Sequence, residues 1–270
     1  MELTRPFLKW PGNKFRMLSK ILPFLPKGSR LVEPFGGTCA ISLNSNYDDY
    51  LIGEINGHLI SLYKILQTDS NFIAYARKKF EAFNDSESYY NLRNIFNTTT
   101  NIKLRCALFI YLNRHGFNGL CRYNLSGKYN VPFGRYINPK FPELQLQNFI
   151  KKTKDFDFIK CNFAHIFSHY LKKDDVVYCD PPYLPINKKS FTNYSPKKFD
   201  MPEHLNLIKL AKKAQSKGVT TLISNHSSLD IDKLYKDACF ITKFTSPRLI
   251  SQKLTSRKPV LELLAVFKAK

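Results

Sequence analysis

Short segments rich in β-branched and aromatic residues recur at 29–35, 49–54, 156–161, 174–180, 218–224, 239–245 and 260–267, most of them separated by stretches of helical periodicity. Strands that alternate with helices share one sheet when the helices carry the chain back across its faces. The pattern therefore predicts an α/β fold built on a doubly wound, mostly parallel, seven-stranded sheet. The alternation breaks between residues 56 and 143. There the periodicity predicts helices near 57–68, 70–82, 87–97 and 101–113, followed by a loop rich in Gly, Asn and Tyr. This reads as an inserted, mainly helical module. With no low-complexity linker beside it, the module is expected to pack against the sheet domain and not to hang from a tether. The chain thus divides into a sheet domain, 1–55 and 144–270, and an insert, 56–143.

Charge sharpens the division. From Ser88 to Pro142 there is no Asp or Glu, whereas Arg93, Lys103, Arg105, Arg114, Arg122, Lys128, Arg135 and Lys140 are all basic. A surface kept only for solubility mixes both signs, so a module of one sign is better explained as a phosphate-facing surface. A second basic stretch holds Lys188, Lys189, Lys197 and Lys198. Over the whole chain 42 Lys+Arg stand against 21 Asp+Glu, and the resulting +21 points to a polyanionic partner, nucleic acid first. Other classes recede. There is no apolar run of about 18 residues, and the start MELTRPFLKW lacks the continuous apolar core of a signal peptide. Membrane insertion and secretion are disfavoured, and a cytoplasmic location is expected. The six cysteines form no C-x-x-C pair and read as reduced thiols. His165 and His169 stand four apart but lack the Glu and the third ligand of a metal-binding helix, so no metal is expected. No obligate protein partner is evident.

Chemistry concentrates at the ends of predicted strands. The run Val176-Val177-Tyr178-Cys179 delivers Asp180-Pro181-Pro182-Tyr183, a carboxylate, a rigid turn and an aromatic ring, to a strand's carboxyl end. Ligands of open α/β sheets bind there, and two prolines freeze the turn and leave carbonyls without a helix or sheet partner. Taken alone, the segment is equally a Pro-Pro loop after a buried strand. Upstream, Leu31 to Phe35 reads as a strand entering a glycine turn, Gly36-Gly37-Thr38-Cys39, where the backbone can approach a ligand closely. Tyr50 to Glu54 is a second strand ending in an acid, about 20 residues further on, placed to accept ribose hydroxyl protons. Together the two imply a nucleoside-bearing cofactor. The N-terminal Phe7 to Lys14 holds the chain's only Trp, Trp10, between Lys9 and Lys14; by itself it is as readily a structural anchor.

The order of these blocks is similar to that of the DNA adenine methyltransferase (Dam) family. The similarity runs through F-L-K-W-x-G-x-K, V-E-P-F-x-G, L-x-x-x-I-N, L-N-R-x-G-x-N-G-L-C-R-Y-N, V-P-F-G-R-Y and V-V-Y-C-D-P-P-Y, nearly the whole chain. The resemblance implies a class I methyltransferase-like sheet, a catalytic domain at 1–55 and 144–270, and a target-recognition domain at 56–143. It implies S-adenosylmethionine as methyl donor, with Trp10, Lys14, Glu54 and Asp180 contacting it, Phe35 and Gly37 lining its pocket, and Phe163 touching its adenine ring. The target would be the adenine amino group in duplex GATC, flipped out of the helix and methylated by direct displacement. Asp180 and the Pro181 carbonyl would accept the amino protons, and Tyr183, held by the Pro181-Pro182 turn, would stack on the base. Arg122 and Lys9 would read guanines, Leu120 and Pro132 would meet thymine methyls, and Phe117, Asn118 and Tyr136 would support the duplex around the vacated position. The protein would be cytoplasmic and nucleoid-associated through its DNA, and the residues are compatible alike with DNA repair, restriction-modification, regulation and a viral origin. Three positions depart from the family pattern: Cys39 replaces the last glycine of F-x-G-x-G, Glu54 stands where Asp is commoner, and Asn13 replaces a frequent glycine. Altered cofactor affinity is expected, not loss of function. A cytosine N4 methyltransferase and a catalytically impaired DNA-binding homologue are the alternative readings.

Overall fold

A computed structural model describes residues 3–184, 199–246 and 260–269; Lys188, Lys189, Lys197 and Lys198 lie outside these. Seven strands form one sheet: β1 (Arg30–Glu33), β2 (Asp49–Glu54), β3 (Asp157–Lys160), β4 (Asp175–Cys179), β5 (Thr220–His226), β6 (Phe240–Ser246) and β7 (Val260–Phe267). Their spatial order is β3-β2-β1-β4-β5-β7-β6. The first five run parallel, and β7 lies antiparallel between β5 and β6. This is the expected doubly wound, mostly parallel sheet. From β1 the chain moves outward through β2 to β3, then returns to lay β4 on the other side of β1. The order reverses between β1 and β4, which opens a crevice at their carboxyl ends.

Strand alternation assigns each side chain to a face. Leu31, Val176, Tyr178, Leu222 and Leu264 point to the side covered by Met17 and by the short helix α1 (Leu18–Ile21). Val32, Val177, Cys179, Ile223 and Leu263 point to the other, where α7 (Phe163–His169), α8 (Met201–Gln215) and α9 (Leu229–Leu234) pack. Because both faces are covered, the strands read as nearly continuous apolar runs. At the foot of the sheet the β1 and β4 ends are tied by Arg30, whose Nε and Nη2 donate to the two Asp175 oxygens at 3.0 and 2.7 Å.

Between β2 and β3 come α2 (Gly57–Thr68), α3 (Phe72–Glu81), α4 (Ser86–Thr98), α5 (Ile102–His115) and α6 (Glu143–Lys152). Asn56, Asp85 and Asn101 start α2, α4 and α5 by accepting backbone N–H bonds, which the sequence signals as a polar residue before each apolar periodicity. Helix α5 is buried almost all round, from Cys106 to Asn113, and so forms the axis against which α2, α3 and α4 pack. These helices share one continuous core with the sheet. The Phe149 ring of α6 lies 5.0 Å from Phe7, 4.8 Å from Tyr63 of α2 and 6.1 Å from Phe158 of β3.

That cluster yields a test of mechanical unity. Phe149→Ala is expected to lower stability by about 3–5 kcal/mol, the range for truncating a buried aromatic. In urea, helical and sheet signals should still be lost in one transition. Two separated transitions in the parent protein would contradict a shared core.

Candidate active site

The crevice at the β1/β4 reversal is a pocket of about 300 Å³. Trp10, Lys14, Phe35, Gly37, Glu54, Phe163 and Asp180, drawn from five separate stretches of the chain, all line it, and Pro181, Pro182 and Tyr183 join them after β4. Every residue that the sequence pattern associated with a cofactor, and every one associated with catalysis, is therefore brought to one place.

The glycine turn makes the floor. Gly36 N–H donates to Gly53 O at 2.8 Å, and a Cβ at Gly36 would come within 2.3 Å of Ile52 Cγ2, so β1 turns against β2 only because Gly36 has no side chain. Gly37 follows with φ +46° and aims its N–H at Glu54 Oε2, 3.2 Å away, while its carbonyl accepts from the Tyr63 hydroxyl at 2.5 Å. Cys39, standing where the family pattern has glycine, also takes a left-handed φ of +57° and is fully buried. The turn closes nonetheless, with Cys39 N–H donating to Gly36 O at 2.8 Å. A left-handed non-glycine residue costs about 1–2 kcal/mol. The departure is thus carried as local strain, with the backbone shape kept.

Electrostatics set the pocket apart from the rest of this basic chain. Glu33, Glu54, Asp180 and Glu203 line it, and Lys14 is the only Lys or Arg among its described lining residues. Lys14, itself 6% exposed, sits 2.9 Å from Asp180 Oδ1, donates to Gly12 O at 3.1 Å, and lies 4.9 Å from the centre of the Tyr183 ring. The two form an ion pair in which the Asp180 Oδ1 atom is buried. Burial raises the Asp180 pKa, and the Lys14 charge opposes the rise. Burial lifts Glu33 to about 7 against two hydrogen bonds from Ser42, one from its hydroxyl and one from its N–H at 2.9 Å. Glu54 is likewise raised by burial, and the N–H groups of Asn56 and Gly37 hold the rise in check.

Aromatic rings make one wall. Phe35 stacks on Phe163 with centroids 5.3 Å apart, and Phe199 stands 5.5 Å from each. Phe199, Glu33 and Asn56 were not singled out in the sequence. Asn56 follows Glu54 in the L-x-x-x-I-N block and caps α2, a signal that pointed to a helix start and not to a pocket.

A second cluster lies on the far side of Lys9-Trp10. The Asn113 side chain clasps the Lys9 backbone, accepting from its N–H at 2.9 Å and donating to its carbonyl at 2.7 Å. Lys9 Nζ stands 4.4 Å from the centre of the Tyr136 ring, and the Tyr136 hydroxyl accepts from Asn118 N–H at 3.0 Å. Phe117, 44% exposed, donates its N–H to Pro132 O at 2.9 Å. Lys9, Phe117, Asn118, Pro132 and Tyr136 are thereby gathered. Leu120 and Arg122 stand on the adjoining hairpin, where Leu120 O accepts from the Tyr129 hydroxyl and Arg122 holds Asn130 through Nε at 2.7 Å and Nη2 at 2.8 Å. The hairpin reaches back to the pocket: the Tyr123 hydroxyl lies 2.9 Å from His58 Nδ1 and 3.5 Å from Asn56 Nδ2.

Among the described residues no group of His, Cys, Asp and Glu forms a metal site, and no helix is long and apolar enough to cross a membrane. Residues 10–248 match the family model of D12 class N6 adenine-specific DNA methyltransferases. A DNA adenine methylase of Serratia marcescens is 42% identical over 99% of this chain and 100% of that protein. Those of Escherichia coli K12 and Vibrio cholerae are 41% and 38% identical, each over 99% of this chain and 97% of theirs. An rRNA methylase structure from Streptococcus thermophilus is similar at a TM-score of 0.36, 11% identical and covering 100% of both chains, too low to add to the topology above. The match is to enzymes acting on the adenine amino group and not to the cytosine N4 enzymes of the alternative reading. The chain belongs to the D12 class of N6 adenine-specific DNA methyltransferases.

Proposed function

We propose that the enzyme transfers the methyl group of S-adenosylmethionine to the N6 amino group of adenine in duplex GATC, acting on a base rotated out of the helix. The observation that carries this reading is the gathering of Asp180 to Tyr183 in a pocket lined also by Trp10, Lys14, Phe35, Gly37, Glu54 and Phe163. The fit to the donor is chemical. A carboxylate-rich pocket in a chain of net charge +21 favours a ligand bearing positive charge, as a sulfonium and an α-ammonium do. The Phe35–Phe163–Phe199 wall suits an adenine ring, and Glu54 is placed for ribose hydroxyls. When bound, the donor supplies a methyl group already activated by its sulfonium.

The protein's share is positioning and charge. An adenine amino nitrogen is a poor nucleophile because its lone pair is delocalised into the ring. Asp180 and the Pro181 carbonyl, accepting its two protons, favour a pyramidal nitrogen whose lone pair is localised, a stabilisation that grows toward the transition state. Asp180 lines the pocket, and a carboxylate paired with one ammonium still has acceptor positions for that role. Tyr183 gives the base a stacking face in place of its lost neighbours. Residues 56–143 act as the target-recognition domain, with 1–55 and 144–270 as the catalytic domain. Arg122 and Lys9 read guanine edges, Leu120 and Pro132 meet thymine methyls, and Phe117, Asn118 and Tyr136 fill around the displaced adenine. The Arg122–Asn130 bonds hold the guanidinium in a fixed orientation, as bidentate readout requires.

Expressed in a methylation-deficient host, the protein should protect that host's DNA from an endonuclease blocked by adenine methylation at GATC. Full cutting of DNA from cells holding well-folded protein would refute the assignment. A pH profile tests the role of Asp180. Its carboxylate must be ionised to accept protons, and Lys14 lowers a pKa that burial raises. In Lys14→Met, at saturating cofactor, the acidic limb of kcat should move to higher pH by about one unit. A limb that stays or moves lower would contradict it.

A further inference from the structure

Tyr183 has one hydroxyl proton and two carboxylates to give it to. Its oxygen lies 3.3 Å from Glu262 Oε2, to which it donates, and within hydrogen-bonding reach of the Asp180 carboxylate as well. Glu262 lies on β7, cross-strand from His226 of β5, and is 9% exposed between Leu261 and the fully buried Leu263. None of the ion pairs among the described residues includes it. A carboxylate at such a place is costly to keep unless something donates to it, and among the described residues Tyr183 does. On its other side Asp180 Oδ1 is buried against the Lys14 ammonium, 2.9 Å away. The two facts belong together: with the phenol proton on Glu262, the Asp180 carboxylate keeps acceptor positions beyond its ion pair with Lys14.

We propose that Glu262 is a positioning residue for methyl transfer, which draws the Tyr183 hydroxyl proton to itself and so keeps the Asp180 acceptor free for the substrate amino group. The inference rests on the reading of Asp180 as the acceptor of the adenine amino protons. Glu262 is not among the described residues that line the pocket, and it acts through Tyr183. A phenol has a single donor, so the competition is all or none in any one geometry. At 3.3 Å the bond is longer than the usual 2.5–3.0 Å for O–H···O. Hydrogen bonds of this kind are often long before substrate binds and tighten in the complex. Without Glu262, the hydroxyl gives its proton wholly to Asp180, takes up one of that carboxylate's acceptor positions and weakens its pull on the amino protons. With neither Glu262 nor the hydroxyl, that position is free again.

This predicts a rescue that a merely structural role would not give. With saturating S-adenosylmethionine and a GATC duplex, Glu262→Leu should lower kcat by about tenfold or more while the duplex KM changes less than about threefold. Adding Tyr183→Phe, which keeps the ring and removes the proton, should raise kcat at least about threefold above that of Glu262→Leu alone. Glu262→Gln keeps the shape and one acceptor oxygen, and should recover most of the rate that Glu262→Leu loses. A double variant no faster than Glu262→Leu overturns the proposal. If Glu262→Leu does not fold, a folded Glu262→Gln more than about tenfold below the parent overturns it equally. Activity of the parent enzyme on the same duplex is the control: its absence would sink the functional reading, whereas additive losses in an active enzyme would sink this assignment alone.

Discussion

Three carboxylates at the carboxyl ends of adjacent parallel strands face one crevice, Glu33 on β1, Glu54 on β2 and Asp180 after β4, and much of the local structure answers their mutual repulsion and burial. Each has its own compensation. Glu33 takes two hydrogen bonds from Ser42, Glu54 takes the N–H groups of Gly37 and Asn56, and Asp180 has the ammonium of Lys14. The left-handed Gly37 is what turns an N–H toward Glu54, and the turn at Gly12 is what receives Lys14 as it reaches Asp180. The compensation is partial, since the pKa values of all three remain raised by burial. A crevice whose described lining has four acidic side chains and one lysine favours a cationic occupant, and this holds within a chain of net charge +21.

The same short stretches that shape the pocket also hold the loops of the insert. Lys9 stacks over Tyr136 and is clasped by Asn113 of α5, while its neighbour Trp10 lines the pocket. Asn56 lines the pocket, supports Glu54, caps α2 and touches the Tyr123 hydroxyl. Gly119 is pressed against Lys9 so closely that a Cβ there would meet Lys9 Cβ at 2.3 Å. Within packed structure a shift of the hairpin cannot leave residues 9–10 and 54–56 untouched. The insert and the crevice are therefore joined by direct contacts, and the Phe7–Tyr63–Phe149 cluster packs α2 and α6 against the N-terminal segment.

Much of this was legible in the sequence because it is written in local periodicity. Alternation along β1 and β4 separates Leu31 from Val32 and Val176 from Val177 onto opposite faces, and polar caps at Asn56, Asp85 and Asn101 mark where helices begin. Strand-end acids and the Pro-Pro turn located the pocket, since strand ends in such a sheet converge at its topological reversal. What stayed hidden was set by distance along the chain. Glu262 stands 79 residues from Tyr183, in a strand that reads simply as apolar, and Phe199 approaches Phe35 across the sheet. The Phe149 contact was hidden too, because α6 follows the boundary drawn for the insert yet packs into the same core as its helices. Cys39 was visible as a departure; that it would accept a left-handed backbone with its side chain fully buried was not.

Trp10 is the chain's only tryptophan and lines the pocket beside Gly37, where a Cβ would stand 3.6 Å from its Nε1. Its fluorescence is therefore a built-in reporter of occupancy. Titrating the DNA-free enzyme with S-adenosylmethionine should give a saturable change that fits one site per chain. A folded protein whose Trp10 emission stays unchanged to about millimolar donor, a free energy near −4 kcal/mol, would contradict the crevice as the methyl-donor site.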